Sequence, residues 1–203
     1  MTPLEMEHTV SPYLSDAYAE QMVKSVSPRL HEHPYYHSFR NTILARTLKV
    51  GNEVPDITIT SGDGKITRLN DYRGKFILLD IWASNCEKSM QARETLKEIY
   101  GISNGQQENF IIISLSVDSD KEAWKNAVTN GGINLSGWVQ GIDPIGIDSP
   151  NIKLLGVETT PRMMLIDPEG RLISRDLKND EAVMRVEQIL SGDLYYFDQA
   201  EYK

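Results

Sequence analysis

The sequence predicts an α/β fold, a mixed central β-sheet with helices on both faces, preceded by an N-terminal helical extension. Three observations predict it. Residues 76–82 and 110–117 are nearly continuous apolar runs, the pattern of strands buried on both faces. Each run is followed by a stretch of helical periodicity, which gives the strand–helix alternation of a sheet with parallel neighbours. The chain then closes on two short apolar runs around Pro168-Glu169-Gly170 and a last helix, so an antiparallel hairpin must enter the same sheet.

Taken in order, Ser11-Pro12 is a helix start, since Ser caps free amides and Pro at the first helical position gives up no hydrogen bond. Leu14, Ala17, Tyr18 and Met22 follow at helical spacing to about Ser25. His33-Pro34 opens a second helix, with Tyr36, Phe39, Ile43, Leu44 and Thr47 on one face and Gly51 to end it. Residues 1–48 thus form a helical segment too small for its own core and expected to dock on residues 49–192. Runs 57–60 and 65–69 flank Ser61-Gly62-Asp63-Gly64 as a hairpin. Strand 76–82 carries one acid, Asp80. A helix after Cys86 turns Met90, Ala92, Leu96 and Ile99 inward, and residues 121–129 form another around Ala123, Trp124, Ala127 and Val128. Residues 135–140 read as a strand, the Gly, Pro and Asp-rich stretch 141–150 as a loop, and 180–190 as the final helix burying Val183, Val186, Ile189 and Leu190. The tail 193–203, with Tyr195, Tyr196 and Phe197, is too aromatic for a freely solvated end.

Charge and cysteine content narrow the function. Of 203 residues, 21 are Lys or Arg and 29 are Asp or Glu, a net charge of −8 that argues against nucleic acid as a partner. The 40% apolar and 25% charged shares argue against wholesale disorder. No apolar run approaches the roughly 20 residues of a membrane span, and residues 1–10 lack the basic cluster and apolar stretch of a signal peptide. Cys86 is the single cysteine, so neither an internal disulfide nor a four-cysteine zinc site is available. His31, His33 and His37 have a chelating spacing, but nothing beyond Glu32 completes a shell; they read as a solvated loop before a proline-started helix, and no metal or cofactor is expected.

Cys86 falls between a buried strand and a helix start, where free amides and the positive helix end stabilise a thiolate. Lys88 favours the same ionisation and Glu87 opposes it. Ser89, one turn on, either donates its hydroxyl to the sulfur or satisfies a backbone amide. The residues alone leave two roles for Cys86: a reactive thiol, or a small residue kept on an inactive scaffold.

The segment Leu79-Asp80-Ile81-Trp82-Ala83-Ser84-Asn85-Cys86-Glu87-Lys88-Ser89 resembles the active-site stretch of the thioredoxin superfamily, and within it the TlpA-like thiol-disulfide oxidoreductases, also grouped as AhpC/TSA-type. Three more stretches agree: Val50-Gly51-Asn52-Glu53-Val54-Pro55-Asp56, Leu69-Asn70-Asp71-Tyr72-Arg73-Gly74-Lys75, and residues 159–170 with Thr160-Pro161-Arg162. The resemblance spans about residues 50–191 and implies a thioredoxin-like fold. It further implies Cys86 as the attacking cysteine, Pro161 in cis across a substrate groove, and Thr160 offering its backbone to an extended peptide. Trp82, Asn85 and Arg162 would flank that groove, Arg162 steering an anion, stabilising a thiolate or standing as an exposed strand charge. Asp80 aligns with the family's buried proton carrier, and a carboxyl in an apolar strand is expected to have a raised pKa.

The chain departs from the family's Trp-Cys-x-x-Cys pattern at Asn85 and Ser89. A single thiol forms a mixed disulfide but cannot release it, so the resemblance implies a disulfide- or thiol-containing protein substrate and an external thiol reductant. The competing reading is a redox-inactive thioredoxin-fold module that binds a peptide or protein. A one-cysteine peroxiredoxin is disfavoured, because the Thr and Pro it needs are Ala83 and Leu79. The resemblance implies the bacterial periplasm or cell envelope; without a signal peptide at its start, the chain reads as the mature or C-terminal part of a longer protein.

Overall fold

The computed structural model describes residues 15–31, 33, 35, 36, 39, 40, 43, 48–103 and 108–193. Its centre is a seven-stranded mixed sheet built from β1 (Thr58–Thr60), β2 (Ile66–Arg68), β3 (Phe76–Trp82), β4 (Phe110–Ser116), β5 (Trp138–Ile142), β6 (Arg162–Ile166) and β7 (Leu172–Ser174). The spatial order is β2-β1-β5-β4-β3-β6-β7. β3, β4 and β5 are parallel, while β6 runs antiparallel to β3 with Ile77 opposite Ile166 and Ile81 opposite Arg162. The two longest apolar runs therefore lie side by side in the middle, where both faces of each strand are covered.

Helices α1 (Asp16–Ser25), α2 (Glu87–Ser103), α3 (Lys121–Asn130), α4 (Pro150–Leu154) and α5 (Asn179–Ser191) and two 3-10 turns, Pro28–Leu30 and Leu69–Tyr72, complete the described elements, with helical backbone also at Tyr35, Tyr36, Phe39, Arg40 and Ile43. On one face Leu78, Trp82, Ile112 and Leu165 meet Leu96 and Ile99 of α2, Trp124 and Val128 of α3, and Val186 and Ile189 of α5. On the other, Leu79, Ile81, Ile113 and Leu115 pack under Leu48, Val54, Ile57 and Ile152. The two faces follow from the period-2 alternation of β3 and β4. In α1 the Ser15 hydroxyl accepts from the Tyr18 amide at 3.4 Å. The proposed Ser11-Pro12 start lies outside the described residues, as do His37, most of the 34–47 stretch and tail residues 194–203.

Two local expectations are corrected. Gly141 and Ile142, read as loop, belong to β5, and the strand begins at Trp138 rather than 135. Pro150 starts the five-residue helix α4, capped by the Ser149 side chain, which is too short to leave a periodic signal. Gly141 is there for space: a Cβ would sit 2.5 Å from Ile59 Cγ2 and 3.2 Å from Leu115 Cδ1, inside the second core layer. Gly141→Ala is therefore expected to lower stability by about 1–3 kcal/mol in urea unfolding, and an unchanged midpoint would show that β1 yields freely at this point.

Candidate functional site

Cys86 is set by the hand-over from β3 to α2. Its amide bonds back to the Ala83 carbonyl at 3.2 Å, and its own carbonyl accepts from the Met90 amide at 3.1 Å, which makes it the capping residue of α2. The loop before it is anchored by Asp118, just beyond β4: its carboxylate accepts from the Ser84 amide at 3.0 Å, the Ser84 hydroxyl at 2.8 Å and the Ser116 hydroxyl at 2.5 Å. Sequence reasoning missed Asp118. Its one available signal was its place right after a strand parallel to β3, the edge on which such loops converge.

The half-buried thiol is held below its ordinary range, first by the Ser89 hydroxyl, then by the amides of Ser89 and Lys88 and the Thr160 side chain, against the cost of partial burial. Ser89 is 2% exposed, and its oxygen accepts from the Ala83 amide at 3.4 Å. Lys88 acts on the sulfur through its backbone N–H. Across from the sulfur, the Thr160 carbonyl oxygen lies 3.5 Å from Sγ, an acceptor for the thiol proton that a thiolate would not use. The Thr160–Pro161 peptide is cis, and both residues line an open groove of about 660 Å³ together with Lys88, Arg162, Leu177 and Lys178. Arg162 pairs with Asp176 at 3.2 Å, so it is neither a bare strand charge nor fully solvated. Asn85 is exposed beside Cys86.

Trp82 is a correction. Expected along the groove, it is 2% exposed on the Leu78 side of β3, with the Arg93 guanidinium 4.3 Å from its ring centroid. Arg93 was also missed from sequence. It is 7% exposed, donates Nη1 to the Ala127 carbonyl at 2.7 Å, and occupies space beside Gly131, where a Cβ would lie 2.5 Å from Nη1. Burial opposes its charge, and Asp80 and Asp118 support it. Asp80, on the same face and 3% exposed, accepts from the Ser114 hydroxyl at 3.0 Å, which in turn accepts from Trp138 Nε1 at 3.0 Å.

His31 and His33 are engaged locally. His31 stacks on Tyr36 with centroids 4.4 Å apart, and His33 Nδ1 accepts from the Tyr35 amide at 3.3 Å. Among the described residues no group of three His, Cys, Asp or Glu side chains is arranged to hold a metal, and no helix is long and apolar enough to cross a membrane.

Residues 74–172 match the thioredoxin-like family. The chain is similar to the thiol-disulfide oxidoreductase ResA of Bacillus thuringiensis subsp. konkukian, with 27% identity over 145 residues, 70% of this chain and 78% of that protein. It is likewise similar to ResA of Bacillus subtilis, with 22% identity over 68% of this chain and 73% of that one. Among solved structures it resembles a thiol:disulfide interchange protein from Bacteroides sp., with a TM-score of 0.63, 27% identity and coverage of 71% of this chain and 92% of that chain. A thiol-disulfide oxidoreductase from Bacteroides fragilis shares the fold at a TM-score of 0.62 and 24% identity, over 68% of this chain and 99% of that one.

Burial pushes the Asp80 carboxyl from the ordinary 3.8 up to about 7, with Ser114 and Arg93 pulling the other way. The fold thus favours the neutral acid. The associated stability is complete below pH 3.8 and is lost as pH rises toward 7. Asp80→Asn is expected to remove this loss, so that variant and parent urea midpoints diverge between pH 4 and pH 8 by up to about 4 kcal/mol in favour of the variant at the high end. Parallel profiles would show that Asp80 does not titrate in the folded chain.

Proposed function

We propose, for a chain that carries a thioredoxin-superfamily domain of the TlpA-like kind, that it is a thiol-disulfide exchange protein working with one nucleophile, Cys86. One observation carries this reading. The chain's single cysteine caps α2 with its thiol held below the ordinary range, Ser89 being the largest cause, and the cis Thr160–Pro161 segment stands across from it, the Thr160 carbonyl 3.5 Å from Sγ.

In the first step the Cys86 thiolate attacks one sulfur of a substrate disulfide; the new Sγ–S bond forms as the old S–S bond breaks, and the second substrate sulfur leaves as a thiolate that takes up a proton. Ser89 supplies no second thiol, so an external thiol, as its thiolate, attacks the mixed disulfide and expels Cys86. Over the cycle the external thiol ends in a disulfide with the captured substrate sulfur, its own sulfur oxidised as the released one is reduced, and Cys86 returns unchanged. The extended substrate lies along Thr160, Pro161 and Arg162 with Asn85 at its edge, Trp82 supports the loop from below, and Asp80 is the buried acid that exchanges a proton near neutral pH. The substrate is a disulfide- or thiol-containing protein and the place of action the bacterial cell envelope, where disulfides persist.

Alkylation of Cys86 followed against pH tests the reading. The expected midpoint lies below the ordinary thiol value of about 8.5, and Ser89→Ala moves it upward. A midpoint at or above 8.5 that Ser89→Ala leaves in place would favour the redox-inactive binding module instead.

A further inference from the structure

We propose that the groove beside Cys86 is a cationic subsite that selects thiols and cysteine peptides carrying a carboxylate next to the reacting sulfur; this rests on the single-thiol exchange reading above. The groove starts at Thr160, whose carbonyl is 3.5 Å from Sγ. Lys88 lines it from α2 and Arg162 from β6, so cations border the groove on both sides. Lys88 has no ion-pair partner among the described residues, and the neighbouring Glu87 instead accepts from Gln91 at 3.2 Å.

The acids that face the groove come from its far wall. Asp176 is shared between Arg162 at 3.2 Å and Lys178 at 2.9 Å, and Asp180 lies in the first turn of α5. Behind Arg162, Arg175 adds positive charge opposed by Glu158, its guanidinium committed to the Leu48 carbonyl at 2.9 Å and that of Gly156 at 3.1 Å. Asp176 neutralises one of two cations it touches, and Arg162 spends a single ion pair of a five-donor fork, leaving Nε buried without a partner. The lining therefore carries Lys88, Arg162 and Lys178 against Asp176 and Asp180, a local excess of positive charge on a chain of net charge −8. That contrast gives the inference its sign. A chain with this overall charge repels anions at long range, whereas the groove attracts a carboxylate at contact.

The test loads Cys86 with 2,2′-dipyridyl disulfide and measures attack by 3-mercaptopropionate, 2-mercaptoethanol and cysteamine, rates being divided by thiolate concentration. Each thiolate bonds to Sγ as pyridine-2-thione leaves. Relative to a small cysteine peptide loaded in the same way, the expected ratio of anionic to cationic thiol is raised about two- to five-fold at low salt. It falls back in Lys88→Gln, in Arg162→Met and in 1 M salt. A ratio at or below that of the peptide, or one indifferent to both substitutions, overturns the subsite while leaving single-thiol exchange standing. Failure of all three thiols to react overturns both.

Discussion

The register of β3 between its two neighbours is the constraint on which the site depends. Parallel pairing with β4 brings Trp82 level with Ser116, so the Asp118 carboxylate that follows can hold the Ser84 amide and hydroxyl. Antiparallel pairing with β6 brings Ile81 level with Arg162, so the cis Thr160–Pro161 segment arrives opposite the first residue beyond the loop. A one-residue slip on either side would also turn every core side chain of that strand to the wrong face. Strong hydrophobic patterning of β3, β4 and β6 thus specifies the distance between a thiol and a carbonyl that are 74 residues apart in sequence.

Polar groups then work inside an apolar frame. Asp80, Arg93 and Asp118 occupy one face of the sheet among Trp82, Ala92 and Trp138, and each is kept there by a specific partner: a hydroxyl, a carbonyl, an amide. Buried ions are costly unless so paired, and the opposite charges of Arg93 and the two acids offset part of that cost. Ser89 is held in the same way in the first turn of α2, where its buried hydroxyl takes the Ala83 amide.

Much of this was legible from residue order. The central strands, the two hairpins, the long helices and the placement of Cys86 at a helix start follow from period-2 and period-3.6 patterns and from turn residues, which are local signals. Arg93 was not legible, because a charged residue on a helix of mixed charge reads as solvated; its burial comes from the Trp82 ring on β3 and from the Ala127 carbonyl and the room left by Gly131 at the end of α3. Asp118 was hidden for a similar reason, its loop partner Ser84 lying 34 residues away. Trp82 was open to a better reading: strict alternation along β3 puts it with Leu78, facing inward, whatever its nearness to Cys86 in the sequence.

Capture and release at Cys86 is the most direct measurement. The chain is mixed with an excess of a disulfide-linked peptide, its intact mass recorded, and a low-molecular-weight thiol then added. Single-thiol exchange predicts one peptide adduct per chain, absent in Cys86→Ser and removed by the added thiol with return to the starting mass. A chain that stays unmodified while a free cysteine peptide exchanges under the same conditions would contradict the account.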